Sequence, residues 1–289
     1  LILDQLRATL GSGAARQSRP PAAPSPLRLD DPLSLPQALW GLGFSSPGTP
    51  EMVVALVAGC DLRPSSLVLD LTAGLGGRAR TIATAYGCYV TGLERDFGQA
   101  ARGATLSQEA GLARRAAIRH YNPALLELRR ESFDCAIEDG LFAGIAEKER
   151  LLRAIHHGLR RGGRLVMTEL VGLQDEADLW SAEQYRDCLR GLGFQVATIE
   201  DLSAPLRSVV ASGWQSFLDR VDVASLPGPH RAEILLELQS WTDLVAQLEN
   251  GTVGYLKIEA SVVGSHRLKP RSLDSRRSGS YFPRLARGK

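Results

Sequence analysis

Asp70-Leu71-Thr72-Ala73-Gly74-Leu75-Gly76-Gly77-Arg78-Ala79 decides the reading of this chain. The stretch follows the apolar run 67–71 and precedes a helical pattern through Tyr86. A buried strand, a glycine-rich turn and a helix are therefore predicted in that order. Glycines there let the backbone approach a ligand, and a helix N-terminus offers unpaired N–H groups. Glu94 closes the next predicted strand (88–94), 24 residues after Asp70. An acidic side chain at that strand tip can accept both hydroxyls of an adenosine ribose. Turn and acid together predict a nucleoside-cofactor site at the carboxyl ends of the strands.

Working outward, the alternation continues. Strands are predicted at 117–121, 132–138, 164–170 and 193–202, with helices at about 97–113, 145–161 and 181–191. The third of these strands is preceded by Arg160-Arg161-Gly162-Gly163, which reads as a basic last helical turn and a glycine stop. This is the rhythm of a parallel, doubly wound sheet. It then breaks. Residues 203–250 read as helices, with Trp214, Phe217, Leu218 and Val221 on one face, and a last strand follows at 254–263. The predicted fold is α/β: a Rossmann-like doubly wound seven-stranded sheet, mostly parallel with an antiparallel last strand, and a helical cap inserted before that strand.

Gly74-x-Gly76-x-x-Ala79 by itself also fits a dinucleotide fingerprint. Asp70 separates the cofactors. A dinucleotide would bring a doubly negative pyrophosphate against this carboxylate, whereas S-adenosylmethionine brings a sulfonium and an ammonium that it attracts. The helical cap before a final strand points the same way. A glycine turn kept only for packing is the plainer alternative.

Composition sets the limits. The 289 residues are 44% apolar and 23% charged, which excludes a disordered or collagen-like chain. No apolar run approaches the ~18–20 residues of a membrane span. Cys60, Cys88, Cys135 and Cys188 form no CxxC pair, against zinc and thioredoxin-type sites and for a reducing compartment. No secretory signal is read, and a cytoplasmic location is expected. The net charge of +2 is uneven: residues 265–289 hold eight Lys or Arg and one Asp. Three segments are predicted: 1–36, a short helix (Leu3, Leu6 and Leu10 on one side) plus a proline-rich linker; 37–264, the folded domain; and 265–289, a basic tail read as disordered.

The motifs, in their order, resemble those of class I S-adenosylmethionine-dependent methyltransferases from about Trp40 to Gly264. Asp70–Gly77 is similar to the glycine-rich first motif, Glu94 to the acid after the second strand, and Tyr121-Asn122 to the pair after the third strand that reads adenine. Phe133–Asp139 is similar to the fourth-strand motif, and Leu159–Val166 to the lead into the fifth strand. Gly43-Phe44-Ser45-Ser46-Pro47-Gly48 and Leu248–Tyr255 resemble the entry segment and the ending of small-molecule methyltransferases, among them those acting on phosphoethanolamine and sterols. The resemblance implies S-adenosylmethionine as cofactor, held by Asp70, Thr72, Gly74, Gly76, Glu94, Asn122 and Glu138. It also implies a small-molecule methyl acceptor near Phe44, Asp139 and Trp214. Aromatics at helical spacing are more often core, so for Trp214 the packing reading stands beside this one. In the phosphoethanolamine group a tyrosine near the entry and a histidine after the fourth strand serve catalysis. The nearest positions here are Gly43 and Ala143, so the catalytic residues stay unassigned. No metal-ligand set is read.

Two other classes remain open at this level. One is a methyltransferase-like subunit that is weak or inactive and docks a protein partner through residues 1–10 and 265–289. The other, less favoured, is an enzyme acting on nucleic acid or protein with the basic tail as guide; Tyr281 and Phe282 are too few for a base-stacking platform.

Overall fold

A computed structural model describes residues 33–142, 147–173 and 179–263. The expected helix 1–10, most of the linker, the basic tail and Ala143 lie outside the described residues.

Among the described residues seven strands form one sheet: β1 (Leu67–Asp70), β2 (Tyr89–Glu94), β3 (Ala116–His120), β4 (Phe133–Asp139), β5 (Leu159–Gly172), β6 (Phe194–Asp201) and β7 (Val253–Val262), in the order β3-β2-β1-β4-β5-β7-β6. β1 pairs in parallel with β2 on one side and β4 on the other. β7 runs antiparallel between β5 and β6. The chain moves outward in one direction from β1 to β3, then returns to start again at β4. The carboxyl end of β1 is therefore the switch point, where open α/β sheets place their ligands.

The central strands are apolar on both faces because helices cover both. One face packs Leu69, Ala136, Leu165 and Met167 under α5 (Lys148–Gly158) and α6 (Ala182–Gly191). The other packs Val68, Cys135, Ile137 and Val166 under α2 (Pro50–Leu56) and α3 (Gly77–Tyr86). α4 (Phe97–Glu109) starts at an Asp96 cap, whose carboxylate accepts the Gln99 N–H at 2.7 Å.

The cap has a core of its own. α1 (Ser34–Trp40), α7 (Ser203–Arg220) and α8 (Gly228–Glu249) bury Leu39, Trp40, Val210, Trp214, Phe217 and Leu238 together. At Gly213 a Cβ would stand 2.5 Å from the Trp40 ring, so glycine is what lets α1 press onto α7.

Two boundaries differ from expectation. The linker was predicted to reach residue 36, yet α1 begins at Ser34. Pro36 sits in its first turn, where a missing N–H breaks no intrahelical bond. Arg160–Gly163 is not a helix end. β5 already starts at Leu159, pairs with Phe133, and then passes through an irregularity before Arg164 takes up the pairing with Cys135. Gly162, at φ +75°, carries that irregularity.

Candidate active site

Beyond β1 the backbone turns sharply. The Ala73 N–H donates to the Leu93 carbonyl at 3.0 Å, which ties the turn to β2. Gly74 (φ +52°) and Gly76 (φ +80°) take left-handed conformations that side chains rarely adopt. A Cβ at Gly74 would also overlap the Ser45 hydroxyl, because segment 43–48 lies directly over the turn. The Gly77 N–H donates to the Gly43 carbonyl at 2.7 Å and anchors that crossing.

Glu94 organises the tip of β2. Its carboxylate accepts the Gly74 N–H and the Asp96 N–H, each at 2.8 Å. A carboxylate offers about four lone-pair positions, so acceptor capacity remains on the side facing the cleft.

That cleft has a volume of about 510 Å³ and is lined by Thr72, Gly74, Glu94, Asp96, Gln99 and Asp139, among others. Among the described residues its charged lining is three carboxylates (Glu94, Asp96, Asp139) against one guanidinium, Arg95. At neutral pH S-adenosylmethionine carries a sulfonium, an ammonium and a carboxylate, one net positive charge. The bare Gly74 backbone, the cleft-facing Glu94 and the surplus negative charge therefore suit this cofactor, and oppose a pyrophosphate.

A second cavity of about 290 Å³ adjoins the first. It lies between segment 43–48, α2 and the start of α7, over β4, β5 and β7. Thr72, Asp139, Tyr255 and Leu206 line both cavities and mark their junction. Asp139 Oδ1 accepts the Tyr255 and Thr168 hydroxyls, each at 2.8 Å, and Oδ2 faces Arg78 Nη1 at 3.4 Å. Its own N–H donates to Thr72 Oγ1 at 2.8 Å. Burial and the adjacent Asp139 charge push the Tyr255 phenol well above its ordinary range, so it stays a neutral donor.

Asp70 differs from expectation. It is fully buried and lines neither cavity; Arg78 Nε and Nη2 bind its two oxygens at 3.1 and 2.8 Å. The cation it attracts is the chain's own. Burial works against the Arg78 charge, but Asp70 and Asp139 outweigh it and hold the guanidinium ionised. Arg78 also bonds the Thr72 carbonyl and hydroxyl, both at 2.7 Å.

The other expected residues divide. Thr72, Gly74, Glu94, Phe44 and Asp139 line the cavities. Gly76 shapes the turn from behind, where a Cβ would press on Ile118 at 2.9 Å. Asn122 is exposed, lines neither cavity, and spends its carboxamide capping the turn Pro123–Leu125. Glu138 does not reach the cleft. It is buried behind β4 beside Glu169, and accepts the Leu141 N–H at 3.1 Å while Glu169 accepts the Phe142 N–H at 2.8 Å. The pair thus holds the loop whose Gly140 and Leu141 line the cleft. Trp214 is fully buried in the cap core against Phe217, at 5.7 Å between rings. The aromatic that the cap presents to the cleft is Trp241.

Sequence reasoning gave no role to Arg78, Thr168 or Tyr255. The available signal was in β7, where Tyr255, Lys257 and Glu259 alternate as polar residues on one face of a strand that lies between two others.

Residues 69–167 match the family described as "Methyltransferase domain". The chain is 30% identical over 164 residues to sarcosine/dimethylglycine N-methyltransferase of Halorhodospira halochloris, covering 48% of this chain and 55% of that protein. It is 24% identical to phosphoethanolamine N-methyltransferase of Triticum aestivum, covering 57% and 35% respectively. The chain thus spans about half or less of the curated relatives it matches. Phosphoethanolamine N-methyltransferase 2 of Haemonchus contortus, solved with S-adenosyl-L-methionine, superposes with a TM-score of 0.70 at 18% identity, over 78% of this chain and 56% of that one. The [4+2]-cyclase SpnF also superposes, with a TM-score of 0.60 at 22% identity over 74% and 82%, so the fold alone does not name a reaction. Sheet order, glycine turn, the Glu94 tip and the matched segment agree: over residues 69–167 the chain is similar to the methyltransferase-domain family, and its fold is the one that the S-adenosylmethionine-bound enzyme above shares.

Proposed function

We propose that this chain transfers a methyl group from S-adenosylmethionine to the nitrogen of a small-molecule amine at the junction of the two cavities. The observation that carries the reading is Asp139, a carboxylate lining both. The cofactor, when bound, supplies a sulfonium methyl that a nucleophile displaces in line, the S–C electron pair staying on sulfur as S-adenosylhomocysteine leaves. Glu94 and the Gly74 backbone would hold and orient its nucleoside. Segment 43–48 covers the turn and excludes water.

An amine arriving as the free base becomes a cationic alkylammonium as the N–C bond forms, so no base is needed at that step. Asp139 would stay beside the nitrogen as that atom gains positive charge, and positioning does most of the work. A hydroxyl acceptor would need a base. With Tyr255 and Thr168 on Oδ1 and Arg78 on Oδ2, Asp139 keeps about one of its four lone-pair sites free, enough to orient an amine N–H. The two relatives are N-methyltransferases by name, which supports the same choice.

Among the described residues no helix is long and apolar enough to cross a membrane. The four unpaired thiols suit a reducing compartment, and we place the protein in the cytoplasm. A docking role for residues 1–10 and 265–289 concerns segments outside the described residues. Deleting them tests it: an enzyme keeps its methyl transfer, whereas a docking subunit stays folded and loses its partner. The reading itself is tested by S-adenosylhomocysteine release with matched amine and alcohol panels. Turnover with amines supports it; turnover confined to alcohols overturns it.

A further inference from the structure

The second cavity differs in kind from what the relatives' names lead one to expect. Sarcosine and phosphoethanolamine each carry an anionic group beside the nitrogen. A pocket made for them needs a cation with free hydrogen-bonding capacity. Among the described residues the second cavity has two cations in its lining, and each is already paired with a carboxylate. Arg78 is held by Asp70, Thr72 and Asp139, with its side chain 11% exposed. Lys257 Nζ lies 2.6 Å from Glu259 Oε1 in an ion pair that is itself mostly buried. Glu200 adds a further negative charge to the wall.

The remaining wall is mostly apolar. Phe44, Met52, Leu56, Pro205 and Leu206 surround the space, with Glu200 and Lys257 on one side and Asp139, Tyr255 and Thr72 at the junction with the cofactor cleft. There Asp139 presents a carboxylate that is 21% exposed, with Tyr255 beside it. A carboxylate anchor at the junction and a mostly apolar interior suit a ligand with one amine and an apolar body. A carboxylate or phosphate on that body would be desolvated against Glu200 and Asp139 without a partner.

We infer that the acceptor is a small amine with an apolar body and no anionic group, seated with its nitrogen at Asp139 and its body between α2 and the start of α7. This rests on the methyltransferase reading above and narrows it. The volume of about 290 Å³ limits the body to one small ring or a short alkyl chain.

The test is calorimetric titration of the full chain, with and without saturating S-adenosylhomocysteine, using benzylamine, sarcosine and phosphoethanolamine as probes. The expected result is benzylamine binding roughly tenfold or more tighter than either anionic probe. Ala55→Phe, which fills the cavity from an exposed helix position, should weaken benzylamine by a similar factor and leave S-adenosylhomocysteine unchanged. Met52→Arg, which adds an uncommitted cation, should weaken benzylamine and strengthen phosphoethanolamine. Equal or tighter binding of sarcosine or phosphoethanolamine by the unmodified chain overturns the inference, as does an Ala55→Phe chain that binds benzylamine unchanged. Failure of S-adenosylhomocysteine to bind would instead strike the methyltransferase reading. The titrations without it would still report on the cavity.

Discussion

Arg78 grips the Asp70 carboxylate through two nitrogens, at 3.1 and 2.8 Å, from the first turn of the helix that follows the glycine-rich bend. The strand tip is thus neutralised from within, and the negative charge facing the cofactor cleft comes from Glu94, Asp96 and Asp139 instead. Removing one partner strands a buried charge, which typically costs about 3–5 kcal/mol. Arg78→Ala is therefore expected to lower stability by that order in urea denaturation. Asp70→Asn combined with Arg78→Gln should recover much of the loss, because the fully buried charge is gone and Asp139, partly exposed, keeps the Tyr255 and Thr168 hydroxyls. A single variant as stable as the parent would show that the pair contributes nothing.

Gly74 is required twice, by its left-handed φ and by the Ser45 hydroxyl above it. A left-handed alanine costs about 1–2 kcal/mol before any overlap. Gly74→Ala should lower the melting temperature and weaken S-adenosylhomocysteine by tenfold or more, roughly 1.4 kcal/mol. Adding Ser45→Gly should restore part of the affinity by clearing the space. If the double variant binds no better than Gly74→Ala, strain rather than overlap is the cause.

The buried pair behind the cleft makes stability depend on pH. Burial, the larger cause, together with Glu169 raises Glu138 well above the usual carboxylate range. Glu169 is raised to about 7, again chiefly by burial. A carboxyl whose folded pKa lies above its unfolded value near 4.5 contributes stability below that value. The contribution is lost as pH rises through the folded pKa. Unfolding free energy should thus fall between about pH 4.5 and 7, by a total of about 3 kcal/mol for Glu169 alone. Glu169→Gln should flatten that slope and leave the chain more stable than the parent at pH 8. A parent whose denaturation midpoint rises across this window would contradict the assignment.

Tyr255→Phe removes one donor from Asp139 and leaves Thr168 and Arg78 in place. The stability cost should be about 1 kcal/mol, the usual net value of one hydrogen bond. Because the hydroxyl stands at the junction, kcat should fall roughly tenfold with cofactor affinity little changed. Equal losses in kcat and in S-adenosylhomocysteine binding would mean that Tyr255 holds the cofactor, not the meeting point.

The sheet was legible because its strands are short apolar runs at regular spacing, a signal carried by residues near in sequence. Thr72, Gly74 and Glu94 were legible for the same reason, being fixed to strand tips by the backbone. Trp214 was not. Its helical spacing is shared by a core residue and a pocket wall, and only the arrival of α1 through Trp40 settles which it is. At Asp70 the sequence predicts a carboxylate that attracts a cation, and the cation beside it is Arg78. The deciding contact comes from a side chain eight residues on, whose direction no local pattern specifies. Asn122 and Glu138 followed motif position, but their side chains turn to local backbone donors, at Ala124 and Leu141. The Tyr255–Asp139 contact joins positions 116 residues apart and exists only once β7 has slotted in between β5 and β6.

The central claim is that Glu94 and the bare turn at Gly74 form an adenosyl-cofactor cleft. Calorimetric titration of S-adenosylhomocysteine into the parent chain and into Glu94→Ala tests it most directly. The account predicts saturable one-site binding to the parent, weakened roughly tenfold or more in the variant. A parent that takes up no ligand, or a variant that binds as tightly as the parent, would contradict it.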